Sequence, residues 1–394
     1  MDANATTPLL PEVLEAMRPF WMEEFGNASS IHRQGQHARA AVDRARESVA
    51  ALLGCRAAEV VFTSGGTESD NLALFGILGR GDHLITSAIE HHAVLHVAET
   101  LAERGVGVTF LPCTPEGMVE LAALEAAIQP NTKLVSVMLA NNETGVIQPV
   151  RALADVAHSV GALFHTDAVQ AASKLPLDVD ALGCDLLSLS GHKMYAPQGT
   201  GALYVKRGIR LRPMFFGGLH ERGRRPGTEN VAGIVGLGKA AELARDWVAG
   251  AGSASTAYGA PNPAALARLL DRLERGILAA VDEAGVNGGG ALRVANTTNL
   301  YFDHVEAEAL VIALDLKGLA VSGGSACQSG ATEPSHVLTA MGLSEARARA
   351  SVRFSLSRLT TEDEVDRAIE LVPAVVARLR ELSPSYSGLA VAQA

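Results

Sequence analysis

The sequence predicts an α/β fold, with a large domain built on a mostly parallel seven-stranded sheet plus a smaller α+β domain. Short apolar runs alternate with helical patterns between about residues 60 and 205, which is typical of a parallel sheet covered on both faces. After a stretch rich in Gly, Ser, Ala and Pro, fewer strands alternate with long helices. Catalytic groups of such sheets lie at the carboxyl ends of the strands, so polar residues that follow apolar runs are the site candidates.

The predicted strands of the large sheet are short runs dominated by apolar side chains. They are Val60–Thr63, His83–Thr86, Val108–Leu111, Leu134–Leu139, Ala162–His165, Asp185–Leu189 and Ala202–Val205. Apolar residues at three- and four-residue spacing predict helices before and between these strands. The helices are Pro11–Phe20, His37–Leu53, Glu68–Leu78, Ala93–Arg104, Leu121–Ile128 and Val150–Ser159.

The carboxyl-terminal part predicts the smaller domain. Its strands are Thr298–Phe302 and Ser351–Leu356, and its helices are Ala264–Ala284, Glu306–Lys317 and Glu362–Leu382. We therefore expect a large cofactor-binding domain at residues 15–248 and a small domain formed by residues 1–14 together with 264–394. Residues 249–263 predict a flexible connection, because they are rich in residues that break helices and strands.

Composition excludes several classes of function. Hydrophobic residues make up 48% and charged residues 19% of the 394 residues, and the formal net charge is −10. An acidic chain argues against general nucleic-acid binding and against an anionic membrane surface. No apolar run is long enough to span a bilayer, and the start of the chain lacks a signal-peptide pattern. Four widely spaced cysteines predict a cytoplasmic protein without a structural metal site.

Two candidate features follow the first strands. The run Ser64–Ser69, which includes Gly66 and Thr67, leaves a strand and opens a helix, where glycine backbone and the helix dipole favour a phosphate. A plain capping turn is the alternative. His91 comes after the next strand, and its imidazole could stack on a pyridine ring and carry protons, although a structural histidine is equally compatible with the pattern.

The middle strands end in a neutral amide and a carboxylate. Asn142 offers a donor and an acceptor, or simply forms a turn. Asp167 ends an apolar run and needs a partner, because an isolated buried carboxylate is costly. A protonated pyridine nitrogen would be such a partner, and Gln170 could reach the phenolic oxygen of the same ring. The alternative for Asp167 is a helix cap.

Lys193 is the most informative candidate. An apolar strand ends at Leu189, and Ser190, Gly191 and His192 then present groups that can bind an anion directly before the lysine. Lysine in that place is what an enzyme needs to hold an aldehyde cofactor as a Schiff base. A single lysine is otherwise a solvated surface charge, so the prediction depends on the other strand-end residues.

Three further segments complete the predicted site. The loop from His220 to Asn230 is dense in arginine and carries a hydroxyl at Thr228. Arg353 is a charge inside a strand, where it could bind a carboxylate as a fork or pair with a structural acid. Cys327 lies in a run of small residues that could move, as a nucleophile or as a spectator.

Taken together, these motifs resemble the cysteine desulfurases of the NifS/IscS type, in the class V aminotransferase group of fold-type I pyridoxal phosphate enzymes. The motifs occur in order from residue 2 to about residue 370. They are Asn4–Thr7, Thr63–Ser69, Glu90–His91, Asn141–Glu143, His165–Gln170, Ser190–Lys193, Arg225–Thr228, Ser325–Cys327 and Arg353–Ser355. Gly66 stands where the family more often has alanine.

The resemblance implies a role for each candidate. Lys193 would form the Schiff base, Asp167 would pair with the pyridinium nitrogen, and His91 would stack on the ring and move protons. Thr67, Ser190 and His192 would bind the phosphate together with Thr228 of a second subunit. The resemblance assigns Gln170 and Asn142 to the ring oxygen and the substrate side, Asn142 and Arg353 to the substrate carboxylate, and Cys327 to the sulfur.

The implied reaction converts L-cysteine to L-alanine and leaves the sulfur on Cys327 as a persulfide. The implied partners are a second copy of the chain and a sulfur-acceptor protein, such as an iron–sulfur scaffold. Two alternatives stay open: a class V transaminase or selenocysteine lyase with the same ring site, and an inactive scaffold for iron–sulfur assembly. The presence of Lys193, Asp167 and Cys327 together argues against the scaffold.

Overall fold

The computed structural model describes residues 1–250, 262–323, 334–383 and 386. The larger of the two sheets in this part of the chain has seven strands, in the order β1-β7-β6-β5-β4-β2-β3. The strands are β1 (Val60–Thr63), β2 (His83–Ser87), β3 (Gly107–Leu111), β4 (Thr132–Ser136), β5 (Leu163–Asp167), β6 (Leu186–Ser190) and β7 (Gly201–Val205). Strands β2 to β6 are parallel, and β7 runs antiparallel to both β6 and β1. The predicted mostly parallel sheet is confirmed.

The helices of the first 250 residues cover this sheet. They are α1 (Pro11–Met17), α2 (Pro19–Met22), α3 (Arg33–Leu53), α4 (Gly66–Ile77), α5 (His92–Glu103), α6 (Leu121–Ala127), α7 (Val150–Ser159), α8 (Val179–Leu182) and α9 (Val231–Val248). Fully buried leucine, isoleucine, valine and phenylalanine side chains of the strands pack against them. This arrangement fixes the carboxyl ends of β2, β4, β5 and β6 at one edge of the sheet, where side chains from different strands converge.

The second sheet has four antiparallel strands among the described residues, in the order β10-β11-β9-β8. They are β8 (Ala284–Val286), β9 (Thr297–Phe302), β10 (Ser322–Gly323) and β11 (Ser351–Ser355). The accompanying helices are α10 (Pro263–Ala280), α11 (Ala307–Asp315), α12 (His336–Ala340), α13 (Glu345–Arg349) and α14 (Glu362–Leu382). A separate hydrophobic core fills the space between this sheet and its helices. Asp2 forms a parallel bridge to Ser355, so the amino-terminal segment lies against the small sheet.

Two predicted helices need correction. The helix predicted at Pro11–Phe20 is interrupted at Arg18, because Pro19 has no N–H to donate to the preceding turn. The helix predicted at Ala264–Ala284 ends at Ala280, and Ala284 already belongs to β8. The domain boundaries at residues 15–248 and 264–394 stay a prediction, and most of the predicted connection 249–263 lies outside the described residues.

A membrane span is also testable within the described ranges. None of their helices combines the length and the apolar character needed to cross a bilayer.

Candidate active site

A cavity of about 290 Å³ opens at the carboxyl ends of the large-sheet strands. Its walls bring together residues predicted from widely separated parts of the sequence. They include Gly66, Thr67, His91, Asn142, Asp167, Gln170, Ser190, His192, Lys193 and Arg353. Cavities that bind small molecules typically measure about 300–1,000 Å³, so this one suits a ligand of modest size. Of the predicted site residues that the structure describes, Thr228 alone lies elsewhere.

The predicted phosphate-binding turn Ser64–Ser69, here called the anion turn, lies very close to the backbone of β7. Helix α4 begins at Gly66, and Thr67 lies in its first turn, where N–H groups lack partners within the helix. A Cβ atom added to Gly201 would lie 2.6 Å from the Cα atom of Gly65, so the glycine lets β7 run directly beneath the turn. The backbone N–H of Ser64 donates to the Glu68 carboxylate at 2.7 Å. The turn is therefore held in shape by its own chain.

Gly66 itself faces Val169. A Cβ atom at position 66 would lie 2.7 Å from the Cγ2 atom of Val169 and 3.5 Å from the Cβ atom of Ser190. The glycine is therefore matched to the valine, and an alanine would require Val169 to move.

Lys193 lies in a short 3₁₀ turn that leaves β6. Its Nζ atom donates to the backbone carbonyl oxygens of Asn4 at 2.5 Å and Ala5 at 2.8 Å. The preceding His192 has its Nδ1 atom 3.1 Å from the Thr6 hydroxyl, and burial lowers its pKa to about 4. The amino-terminal segment therefore forms the wall that faces the lysine.

Asp167 ends β5 and is almost completely buried. Its Oδ1 atom accepts from the backbone N–H of Val169 at 2.8 Å. Burial raises its pKa to about 6, and this hydrogen bond together with the charge of Lys193 acts in the opposite direction. A cationic partner in the cavity would stabilise the charged form of this buried carboxylate.

A second buried carboxyl group lies beneath this site. Asp70, on α4, also lines the cavity, and its Oδ1 atom has no hydrogen-bond partner among the described residues. Burial, followed by the charge of Asp167, raises the pKa of Asp70 well above its usual range. The Nε2 atom of His165 is 3.6 Å from this Oδ1 atom, and burial lowers the pKa of His165 to about 3. Burial therefore disfavours the charged forms of both Asp70 and His165.

His91 caps helix α5. Its Nδ1 atom accepts from the backbone N–H of Ala93 at 3.1 Å, so the neutral ring carries its proton on Nε2. Burial, followed by the charge of His92, lowers the pKa of His91 to about 4. The ring is therefore neutral near pH 7, with a single N–H available to a ligand.

Arg353 lies in β11 and is almost completely buried. Its Nη1 atom donates to the backbone carbonyl of Asn142 at 2.9 Å, and its Nη2 atom donates to the Asp2 carboxylate at 2.9 Å. The Arg353 Nε atom and the Asn142 Oδ1 atom are buried without partners in the described part of the chain. Arg353 therefore pairs with an acid, as one alternative from the sequence expected, and it also lines the cavity. Its binding of a substrate carboxylate stays a prediction.

Gln170 is held by two neighbours, Lys174 and Asn4, to which the sequence analysis gave no role. Its Oε1 atom accepts from the Nζ atom of Lys174 at 2.7 Å, and its Nε2 atom donates to the backbone carbonyl of Asn4 at 3.1 Å. Lys174 is buried, and burial lowers its pKa well below the usual range. The sequence signal for Lys174 was its spacing of four residues from Gln170, which can place the two side chains together. The sequence signal for Asp70 was a charged residue on the apolar face of α4.

Thr228 is exposed and lines a second, larger cavity of about 700 Å³. Some charges of the arginine-rich loop around Thr228 are neutralised by oppositely charged side chains of the same chain. Arg225 pairs with Glu68 at 2.8 Å, and Arg46 of α3 binds Glu221 through two contacts of 2.6 Å. The Glu221 carboxylate also accepts from the backbone N–H of Phe62 in β1.

Cys327 lies outside the described residues, so its predicted role is not tested by this geometry. The described chain resumes at Pro334, and His336 on α12 contacts the site by a 2.9 Å hydrogen bond between its Nε2 atom and the backbone carbonyl of Glu90. The described chain after this gap is thus fixed, at His336, to the residue that precedes His91.

Comparison with known proteins identifies the family. The model of the family described as aminotransferase class-V matches residues 1–368, and the chain belongs to this family. A cysteine desulfurase IscS from Anaeromyxobacter sp. (strain Fw109-5) is 50% identical over 393 residues, which cover 98% of this chain and 94% of the relative. Within the family, the chain is therefore a member of the cysteine desulfurases.

Solved structures agree with this grouping. A structure titled NifS-like protein has a TM-score of 0.87 and 34% identity, covering 95% of this chain and 98% of its own. A structure titled SspA in complex with cysteine has a TM-score of 0.79 and 36% identity, with coverages of 91% and 99%. The fold-type I architecture predicted from the resemblance is confirmed by these neighbours.

Proposed function

We propose that this protein is a pyridoxal 5′-phosphate-dependent enzyme that removes sulfur from L-cysteine, releases L-alanine and leaves a persulfide on Cys327. The observation that carries the proposal is the meeting of Lys193, Asp167, His91 and Arg353 in one cavity. The relatives named as cysteine desulfurases and the neighbour solved with cysteine support the choice of substrate.

The cavity fits the proposed cofactor in its chemistry. It offers an amine, a buried carboxylate and an anion turn at the start of a helix, as an aldehyde, a pyridine nitrogen and a phosphate require. Lys193 would hold the cofactor covalently, Asp167 would face its nitrogen, and His91 would lie on its ring. The phosphate would bind to Gly66, Thr67, Ser190 and His192, and the phenolic oxygen to Gln170 and Asn142.

When bound, the cofactor supplies an electron sink for the carbon that loses a proton. Lys193, displaced by the substrate amine, would take the α-proton of cysteine. Arg353 and Asn142 would orient the substrate carboxylate, which suits the buried, unpartnered Arg353 Nε atom. His91 would donate its Nε2 proton toward the substrate side, and acid–base exchange at Nδ1 would first require release of the Ala93 N–H.

Sulfur transfer would use the thiolate of Cys327. The thiolate attacks the substrate sulfur, a sulfur–sulfur bond forms, and the carbon–sulfur bond breaks with its electron pair remaining on the substrate. Protonation of that carbon gives alanine. The terminal sulfur of the persulfide would then pass to an acceptor protein, such as an iron–sulfur scaffold, in the cytoplasm.

A homodimer would complete the site. Large apolar side chains are exposed in two segments that adjoin the 700 Å³ cavity, and Phe216 and Leu219 are 90% and 87% exposed. The others are Trp21, Met22, Phe25, Ile31 and Phe215. A symmetric interface that buries these side chains would place Thr228 of each chain at its partner's cofactor phosphate.

The test is Cys327→Ser in the full-length enzyme. The variant should bind cofactor and L-cysteine with unchanged absorbance spectra, because Cys327 does not build the ring site, yet it should form almost no persulfide or alanine. Quantifying alanine and sulfide in the presence of dithiothreitol checks this. Sulfide release at the wild-type rate would overturn the mechanism, and a transaminase would be indicated by an oxo acid in place of alanine.

A further inference from the structure

The amino-terminal motif Asn4–Thr7 has no role in the mechanism above, although it forms the wall opposite Lys193. Asn4 is 2% exposed, and all of its polar atoms are engaged. Its backbone carbonyl accepts from Lys193 at 2.5 Å and from Gln170 at 3.1 Å. The adjacent carbonyl of Ala5 accepts from Lys193 at 2.8 Å. Two successive carbonyl oxygens therefore hold the lysine amine.

The Asn4 side chain fixes these carbonyl oxygens in place. Its Oδ1 atom accepts from Lys174 and from Asn296, both at 3.1 Å. Its Nδ2 atom donates to the Thr297 hydroxyl at 2.9 Å, and the backbone N–H of Asn4 donates to the Ser355 hydroxyl at 3.0 Å. The residue is thus bound by side chains at and beside the small sheet and by Lys174, which follows β5 of the large sheet. A buried amide with all its bonds satisfied has one preferred position.

The same amide reaches the side of the cavity assigned to the substrate carboxylate. The Asn4 Nδ2 atom donates to the backbone carbonyl of Asn142 at 3.2 Å, and that carbonyl also accepts from the Nη1 atom of Arg353 at 2.9 Å. The backbone carbonyl of Asn4 therefore contacts Lys193. Its side chain contacts the Asn142 carbonyl, which also binds Arg353.

We infer that Asn4 is a positioning residue, which holds the Asn4–Ala5 carbonyl pair as a cradle for the Lys193 amine and fixes the distance between that amine and Arg353. The cradle receives the amine whenever it is not bonded to the cofactor. This inference deepens the proposed function, because the substrate amine must displace Lys193 while its carboxylate is bound at Arg353.

The first experiment compares Asn4→Ala with Asn287→Ala. Asn287 is a matched control, since it is 4% exposed and donates two side-chain hydrogen bonds within the small sheet, to Asn299 and Ser351, outside the cavity. In the full-length protein stripped of cofactor, reductive methylation of Lys193 is followed by peptide mass spectrometry. Asn4→Ala should raise the methylation rate by about five- to tenfold, the equivalent of one hydrogen bond, and Asn287→Ala should leave it unchanged.

A second variant, Asn4→Asp, separates the effect of Asn4 on Lys193 from its effect on substrate binding. Asn4→Asp keeps an acceptor for Lys174 and Asn296 but places an oxygen against the carbonyl of Asn142. Its Lys193 methylation rate should stay near that of the wild type, whereas KM for L-cysteine should rise about tenfold with a smaller change in kcat, as expected for the loss of substrate positioning.

The outcomes distinguish this inference from the proposed function. If Asn4→Ala folds by circular dichroism and its Lys193 methylation rate equals that of the wild type, the cradle is refuted. If Asn4→Ala does not fold, an unchanged KM in Asn4→Asp refutes the positioning role. If the wild type produces no alanine from L-cysteine, the proposed function fails, while the methylation comparison still tests the cradle.

Discussion

The two cavities described above differ in the burial of the polar groups that line them. The smaller one, of about 290 Å³, is lined by strand ends, and many of its polar atoms are buried. The larger one, of about 700 Å³, is lined in part by an exposed loop, and two of its arginines, Arg39 and Arg46, pair with acids of the same chain. Perturbed pKa values at Asp167, His91 and Asp70 belong to the smaller cavity. Cavity size alone would favour the larger cavity, whereas the desolvated ionisable groups favour the smaller one as the reactive site.

The largest expected effect distinguishes two lysines that both contact Asn4. Lys193 lines the smaller cavity and Lys174 lies behind Gln170. Lys193→Ala should abolish turnover, because the covalent link and the base are lost together. Borohydride reduction of the wild-type holoenzyme, followed by peptide mapping, should place the cofactor on Lys193. Recovery of the label on Lys174 would move the reactive site out of the smaller cavity.

Asp167→Asn should have the next largest effect. The substitution keeps the shape and the hydrogen bond from Val169 but removes the charge opposite the ring nitrogen. Loss of a buried charge partner costs roughly 3–5 kcal/mol, so kcat should fall by about two to four orders of magnitude. Steady-state alanine production, with circular dichroism as the control for folding, measures this. Turnover within a factor of ten of the wild type would contradict the assignment.

Mixing two inactive variants tests whether Thr228, which lines the larger cavity, serves the site of the partner subunit. Thr228→Asp should repel the partner's cofactor phosphate, and Lys193→Ala lacks the reactive amine. Random subunit exchange at equal concentrations makes half of the dimers mixed, each with one intact site, so activity should recover to about a quarter of the wild type. Absence of recovery, with exchange verified by native mass spectrometry, would show that Thr228 serves its own chain.

The smallest effect concerns stability rather than turnover. Burial raises the pKa of Glu90 to about 8, so between pH 4.5 and 8 the folded state keeps a proton that the unfolded state loses. Wild-type stability should therefore decline relative to Glu90→Gln as pH rises through this window, by an amount on the order of a few kcal/mol. Urea unfolding at several pH values measures the difference.

A matched control for the Glu90 experiment is Glu103→Gln, at the exposed end of α5. It removes one formal charge without removing a buried carboxyl group. An equal pH trend in both variants would contradict the burial argument.

The large sheet was predictable because its strands are short, apolar and separated by helical patterns. Each predicted run, from Val60–Thr63 to Ala202–Val205, overlaps an observed strand. The antiparallel direction of β7 was not predictable in this way, because a buried strand has the same composition in either direction. The strands β8 and β10 also escaped prediction, since they have only three and two residues.

The candidate site was predictable where a polar residue follows an apolar strand, as at Asp167 and Lys193. Asn4 and Lys174 were not assigned roles, because their importance depends on contacts between residues more than 160 positions apart. The structure also places Thr228 in a separate cavity, as a residue donated across a dimer interface would be. Such a contact cannot be read from the local pattern of one chain.

Strand β1 has a mechanical consequence for the proposed dimer. At one end it leads into the anion turn, and its Phe62 N–H is bonded to Glu221 of the loop that carries Thr228. Glu221 and Arg222 both have positive φ angles, of 48° and 58°, a conformation that non-glycine residues adopt only when their surroundings enforce it. In the proposed dimer, this contact of Phe62 with Glu221 would transmit a shift of the turn in one subunit to Thr228, the residue proposed to reach the neighbouring subunit.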